Sequence, residues 1–190
     1  MSTTELVHFV GFGLIYALLA TVATIAALRV IGRPLPVRWW PAMGLTTFFL
    51  SLTHHPFPDP EELDCTEGGE PPLLVPLQFF GSVLRRWERD ASLSTWVHDL
   101  TISSAAMNLF LCMAIGMALA PCMRHMRHVA LFAVALSGLV ETSQVTGIFG
   151  LYPCPYRQFD VDDLILNITG IVIGYVLMRW IGGPTRVKPS

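Results

Sequence analysis

ETSQVTGIFGLYPCPYRQFDVDDLILNITGIVIG, residues 141–174, is the stretch on which the reading of this chain turns. Two apolar segments with helical spacing meet there across a short connection. The junction carries Glu141, Gln144, Arg157, Asp160, Asp162, Asp163 and Asn167. One carboxylate at the centre of a bilayer costs about 2.5–3.5 kcal/mol on insertion scales. Several polar groups at one helix junction therefore need a reason. Either they solvate one another, or they hold something at the membrane surface.

The composition around this stretch is that of a membrane protein. Of 190 residues, 53% are apolar and 14% charged, against about 25% charged in a soluble domain; the mean hydropathy is +0.54. One membrane domain over residues 1–190 is the expectation. Residues 6–31 are long and apolar enough to span. Only Glu5 and no basic residue precede them, while Arg29, Arg33 and Arg38 lie at or beyond their end, so they read as an uncleaved helix. Residues 39–53 form a shorter run with Pro41 inside and Trp39 and Trp40 at the start. Crossing is preferred there, and a re-entrant path is the alternative.

Residues 54–99 begin as an irregular acidic loop. They continue with Leu77, Phe80, Leu84 and Trp87 at i, i+3, i+7 and i+10, beside Arg85, Arg86 and Arg89. That pattern predicts an amphipathic helix, lying on the membrane surface or packed across the top of the bundle. Spans over 100–120, 129–149 and 161–181 complete an all-α polytopic bundle of about five transmembrane helices, with 100–181 as its core.

Charge orients the bundle. With the N-terminus outside and the C-terminus cytoplasmic, the inner segments hold Arg29, Arg33, Arg38, Arg124, Arg127, Arg179, Arg186 and Lys188, eight of the 12 basic residues and none of the 14 acids. The outer stretch holds Asp59, Glu61, Glu62, Asp64, Glu67, Glu70, Glu88, Asp90 and Asp99. The positive-inside rule supports this arrangement and sets the polar junction at the outer face. Cys65 and Cys154 both lie outside, where a disulfide persists, and their pairing is the expected bridge. Cys112 falls in the third span and Cys122 just past its inner end. No Cys/His spacing marks a zinc site, no resident metal or cofactor is expected, and nothing points to nucleic acid.

On the fourth span Ser137, Glu141 and Gln144 share one helical face; on the fifth, Asp160, Asp163, Asn167, Gly170 and Gly174 share another. The Gly170/Gly174 spacing allows a close helix neighbour, which would bring Asn167 and Asp163 against Glu141 or Gln144. Three readings follow. The first is a structural network, with Arg157 paired to an aspartate and Asp160 or Asp162 capping a helix. The second is a headgroup site, in which Arg157 holds a phosphate while Glu141, Gln144 and Asn167 take sugar or amine groups. The third is catalysis, with Glu141 and Asp163 as acid and base or as holders of a divalent ion. Asn108 and Ser104 could extend the site from the third span. His54-His55 reads as a solvated start to the loop, the Arg124–His128 turn as a topological anchor, and the sequon at Asn167 as too deep for glycosylation.

These residues resemble a family. E-x-x-Q at Glu141–Gln144, R-x-F-D at Arg157–Asp160 and D-x-x-x-N-x-x-G at Asp163–Gly170, closed by Gly174, look like the VanZ-like family. NLFLCMAIG, residues 108–116, is similar to that family's N-x-x-x-x-x-P-x-G segment, with Ala114 in place of proline. The resemblance covers residues 108–180, and the first two spans fit in hydropathy only. It implies a multi-pass protein of the bacterial inner membrane and cell envelope. The family's namesake accompanies glycopeptide-antibiotic resistance clusters and gives low-level teicoplanin resistance. The expected function is binding of a lipid-linked or lipoglycan headgroup, or of a lipoglycopeptide antibiotic, at the outer leaflet through Glu141, Gln144, Arg157, Asp160, Asp163, Asn167 and Asn108. The alternatives are a membrane enzyme modifying such a lipid and an accessory subunit of a membrane complex.

Overall fold

Runs of leucine, isoleucine, valine and alanine with no internal proline can satisfy their backbone in a bilayer only as helices, and the computed structural model is built from them. It describes residues 3–61, 63–66, 71–89, 92, 95–96, 99–155 and 157–182. Glu62, Glu67, Glu70, Asp90, Arg186 and Lys188 of the charge pattern lie outside the described residues. The helices are α1 (Thr3–Val30), α2 (Trp40–His54), α3 (Gln78–Glu88), α4 (Leu100–Leu119), α5 (Met126–Val145) and α6 (Val161–Ile181). Among the described residues the only β pairing is an isolated bridge between Leu73 and Asp160.

Four of these helices are long and apolar enough to cross a membrane: Val7–Val30 within α1, Thr101–Leu119 within α4, and the whole of α5 and α6. The protein is a polytopic membrane protein. α2 is the fifth member of the bundle. Its 15 residues rise only about 22 Å, yet it runs continuously along α1. The Arg29 guanidinium lies 5.7 Å from the Trp40 ring centre at one end. Thr21 and Thr47 hydroxyls share a 2.8 Å hydrogen bond midway. At the far end His55 sits among the rings of Phe9, Phe12 and Tyr16. Pro41 lies in the first turn, where its missing N–H breaks no helical bond. α2 is thus one continuous helix laid against α1, shorter than the four apolar spans.

α4 and α6 form the tightest pair. A Cβ on Gly170 would meet the Leu109 carbonyl at 2.6 Å; one on Gly174 would clash with the Met113 carbonyl, and one on Gly116 with the Ile171 carbonyl. The Gly170/Gly174 pair therefore admits the third span, with Gly116 as its counterpart across the crossing. The fourth span was the neighbour expected to meet the aspartate face. It packs more loosely on α6, through the core of Cys112, Ile115, Val129, Ala133, Val140 and Ile171. α5 stops at Val145, not near 149, because Gly147 turns to φ +58° and the chain bends at once.

The basic residues gather at one end. The Cys122 thiol donates to the Arg38 carbonyl at 3.0 Å. The Tyr175 hydroxyl meets the carbonyls of Met123 and Arg124 at 3.2 Å each. By the positive-inside rule this end is cytoplasmic, and the Glu141–Asn167 junction is at the other.

Candidate functional site

The junction is assembled in three tiers from four helices. In the deepest tier the Asn167 amide donates to Ser137 Oγ at 3.3 Å, while its Oδ1 accepts from the Cys112 thiol at 3.3 Å. All three side chains are buried. Burial in a span leaves Asn167 beyond the reach of glycosylation.

One turn outward, the Asp163 carboxylate lies close to the Asn108 side chain from α4, and Glu141 faces it from α5. Glu141 Oε2 accepts from the Asp160 backbone N–H at 3.2 Å. Its other oxygen, Oε1, has no hydrogen-bond partner, and neither does Asn108 Oδ1. Glu141 is 1% exposed and Asn108 4%. These two buried acceptors without donors, beside a second carboxylate, leave this part of the network unfinished, as His55 Nδ1 does at the end of α2, since such groups are normally paired.

The outermost tier is made by the ends of α2 and α6. Arg157 Nη1 donates to the Thr53 carbonyl at 2.6 Å and Nη2 to that of His55 at 3.3 Å. The Gln144 amide donates to the same Thr53 carbonyl at 3.2 Å. Asp160 is the N-cap of α6, accepting from the Asp162 N–H at 2.8 Å. Burial, with the neighbouring Asp162 charge added, holds the Asp160 carboxyl above the usual range despite that bond. Asp162 faces away from the cluster and caps α3, accepting from the N–H groups of Leu77 and Phe79.

The loop is pinned over this tier. Cys65 and Cys154 are disulfide-bonded. The Leu73 N–H donates to the Phe159 carbonyl at 2.8 Å, and the Val161 N–H to the Leu73 carbonyl at 3.0 Å. A recess of about 320 Å³ opens beside Arg157 between Pro56, Pro58 and Leu63.

The structure thus brings Asn108, Glu141, Asp163 and Asn167 to one place and sets Gln144 and Arg157 on the end of α2. Ser104 is exposed and bonds only the Thr101 carbonyl within its own helix. It is not part of the site. Nor does His54 begin a solvated loop: its Nε2 shares a 2.7 Å hydrogen bond with Ser143 Oγ, and His55 is ringed by aromatics. The sequence reading missed Thr53 and Ser143 and gave His54 to a solvated loop; the polar end of an otherwise apolar α2 was the available signal.

A family model, VanZ/LLP1, matches residues 15–182. The chain belongs to the VanZ/LLP1 family. The match takes in α1 from residue 15 onward and the whole of α2, well beyond residues 108–180 that carry the sequence motifs. In this family member Asn108, Gly116, Glu141, Gln144, Arg157, Asp163, Asn167, Gly170 and Gly174 make one connected construction: glycines bring α4 and α6 together, and the polar residues line what they enclose. No curated protein and no solved structure matches the chain.

Proposed function

We propose that this VanZ/LLP1-family protein resides in the bacterial plasma membrane and binds the polar headgroup of a lipid-linked or lipoglycan-type envelope molecule at the outer face. The observation that carries this reading is the pair of buried, donorless acceptors, Glu141 Oε1 and Asn108 Oδ1, in residues that both neighbour Asp163. A buried acceptor left unpaired costs about 1–3 kcal/mol. A ligand bearing hydroxyl or ammonium donors removes that cost, whereas a bare phosphate brings only acceptors. Sugar or amine groups therefore fit this tier. The recess beside Arg157 is the place for an anionic part of the same headgroup. A lipoglycopeptide such as teicoplanin offers the same combination of sugar hydroxyls and lipid tail.

A second reading is favoured by the other tiers. Gln144, Arg157 and Asn167 all hydrogen-bond groups of this chain, as they would if the cluster served only to hold the helices. Glu141→Gln separates the two. The glutamine oxygen can still accept from the Asp160 N–H, while its amide replaces an acceptor with a donor where the ligand's donor would bind. Native mass spectrometry of gently extracted protein is expected to show a defined glycolipid on the wild type, reduced at least tenfold on a folded Glu141→Gln protein. Equal, nonselective lipid on both would establish the structural reading.

A further inference from the structure

α3 divides its surface into three sectors. Phe79, Ser82, Val83 and Arg86 face the bundle, with Ser82 buried. Phe80, Leu84 and Trp87 are 50%, 58% and 76% exposed on one flank. Gln78, Arg85 and Glu88 occupy the other, also exposed. The apolar flank continues into exposed Leu74, Val75 and Leu77 ahead of the helix. A helix packed across the top of the bundle would turn its apolar residues downward; this one leaves them uncovered.

The height of α3 is set at both ends. Asp162, in the first turn of α6, caps its start. Arg86, near its end, makes a 2.8 Å ion pair with Asp99, the N-cap of α4. Both anchors lie where an apolar span begins, so α3 lies at the level where hydrocarbon gives way to headgroups, not above it. Its exposed apolar flank is continuous in level with the lipid-facing surface of the spans. Arginine and tryptophan are the residues that such a boundary accepts.

We propose that α3 is an interfacial helix seated in the outer leaflet of the membrane that the bundle spans. The Phe80–Leu84–Trp87 flank lies among the upper acyl chains, and the Gln78–Arg85–Glu88 flank lies among headgroups and water. The occupant of the exposed face is phospholipid.

Site-directed spin labelling tests this. Cys122→Ser leaves Cys112, which is fully buried, and the bonded pair Cys65–Cys154. Single Leu84→Cys, Trp87→Cys and Glu88→Cys changes in that background are labelled without reduction and reconstituted in phosphatidylethanolamine–phosphatidylglycerol liposomes. Collision with oxygen should dominate at 84 and 87, and collision with a water-soluble nickel chelate at 88, the ratio differing severalfold. Nickel access at all three would place the helix in water and overturn the proposal. Labels at 84 and 87 that are immobilised and shielded from both reagents would show a protein partner or second copy on the face, and would overturn it equally.

Discussion

Arg157 shows how far a residue's role depends on the surface it meets. In the chain it is a lone cation among carboxylates, suited to hold a phosphate. In the fold two of its N–H groups serve the last carbonyls of α2, which have no partners within their own helix. A cation at a helix C-terminus also complements the helix dipole. Hydrogen bonds from a charged group contribute about 1.5–3 kcal/mol each, so Arg157→Ala should cost about 3 kcal/mol or more of bundle stability. Arg157→Lys should recover less than half, because one ammonium lacks the fork that reaches two separate carbonyls. Thermal unfolding in detergent measures both, and an unchanged Tm for Arg157→Ala would remove it from the α2 end. Glu141 and Asp163 were identifiable from their positions on helix faces. That Asp162, one residue away from Asp163, caps another helix was not, because α3 is remote in sequence and only the fold brings it there.

Helix crossings explain why the polar groups meet at all. The Gly170/Gly174 spacing announces a close neighbour without saying which one. The choice falls on α4 because Gly116 offers a matching flat surface, so that backbone meets backbone on both sides. This brings Asn108 to Asp163 and leaves Glu141 to approach from the looser α5 side. Gly174→Leu should push α4 and α6 apart and cost about 2–3 kcal/mol or more, with Gly116→Leu similar. Gly138→Ala on α5 is the control, since a Cβ there meets nothing within 4 Å; it should be neutral or slightly stabilising. Reversible unfolding in mixed micelles reads all three. Equal effects at Gly138 and Gly174 would refute the crossing. Glycine recurrence was visible in the sequence, but its partner depended on complementary shape.

Across the whole molecule, the loop and the bundle are separate mechanical problems. Cys65 and Cys154 close a separation of 89 residues, which for a soluble chain would be worth about 4–5 kcal/mol in chain entropy. Here the intervening α4 and α5 remain inserted when the bundle loosens, so the membrane already confines much of that loop. Reduction, or Cys65→Ser, should therefore lower the bundle Tm by only a few degrees while exposing the segment around residues 59–66 to protease added from outside. Limited proteolysis of proteoliposomes beside a thermal scan separates the two effects. A collapse of the bundle on reduction would show that the bridge holds the helices themselves.

Composition and charge order were enough to establish a membrane bundle, its basic end and the polar junction, because lipid imposes helices and the positive-inside rule acts on local runs of sequence. The face on which each polar residue lies followed from helical spacing. Which faces meet did not. That α4, not α5, closes on Gly170 and Gly174, that Arg157 and Gln144 finish α2, and that α3 leaves an apolar flank bare were decided only by tertiary packing. Such pairings depend on shape and unpaired backbone groups contributed by segments far apart in the chain, and one helix's periodicity carries no record of its neighbour's.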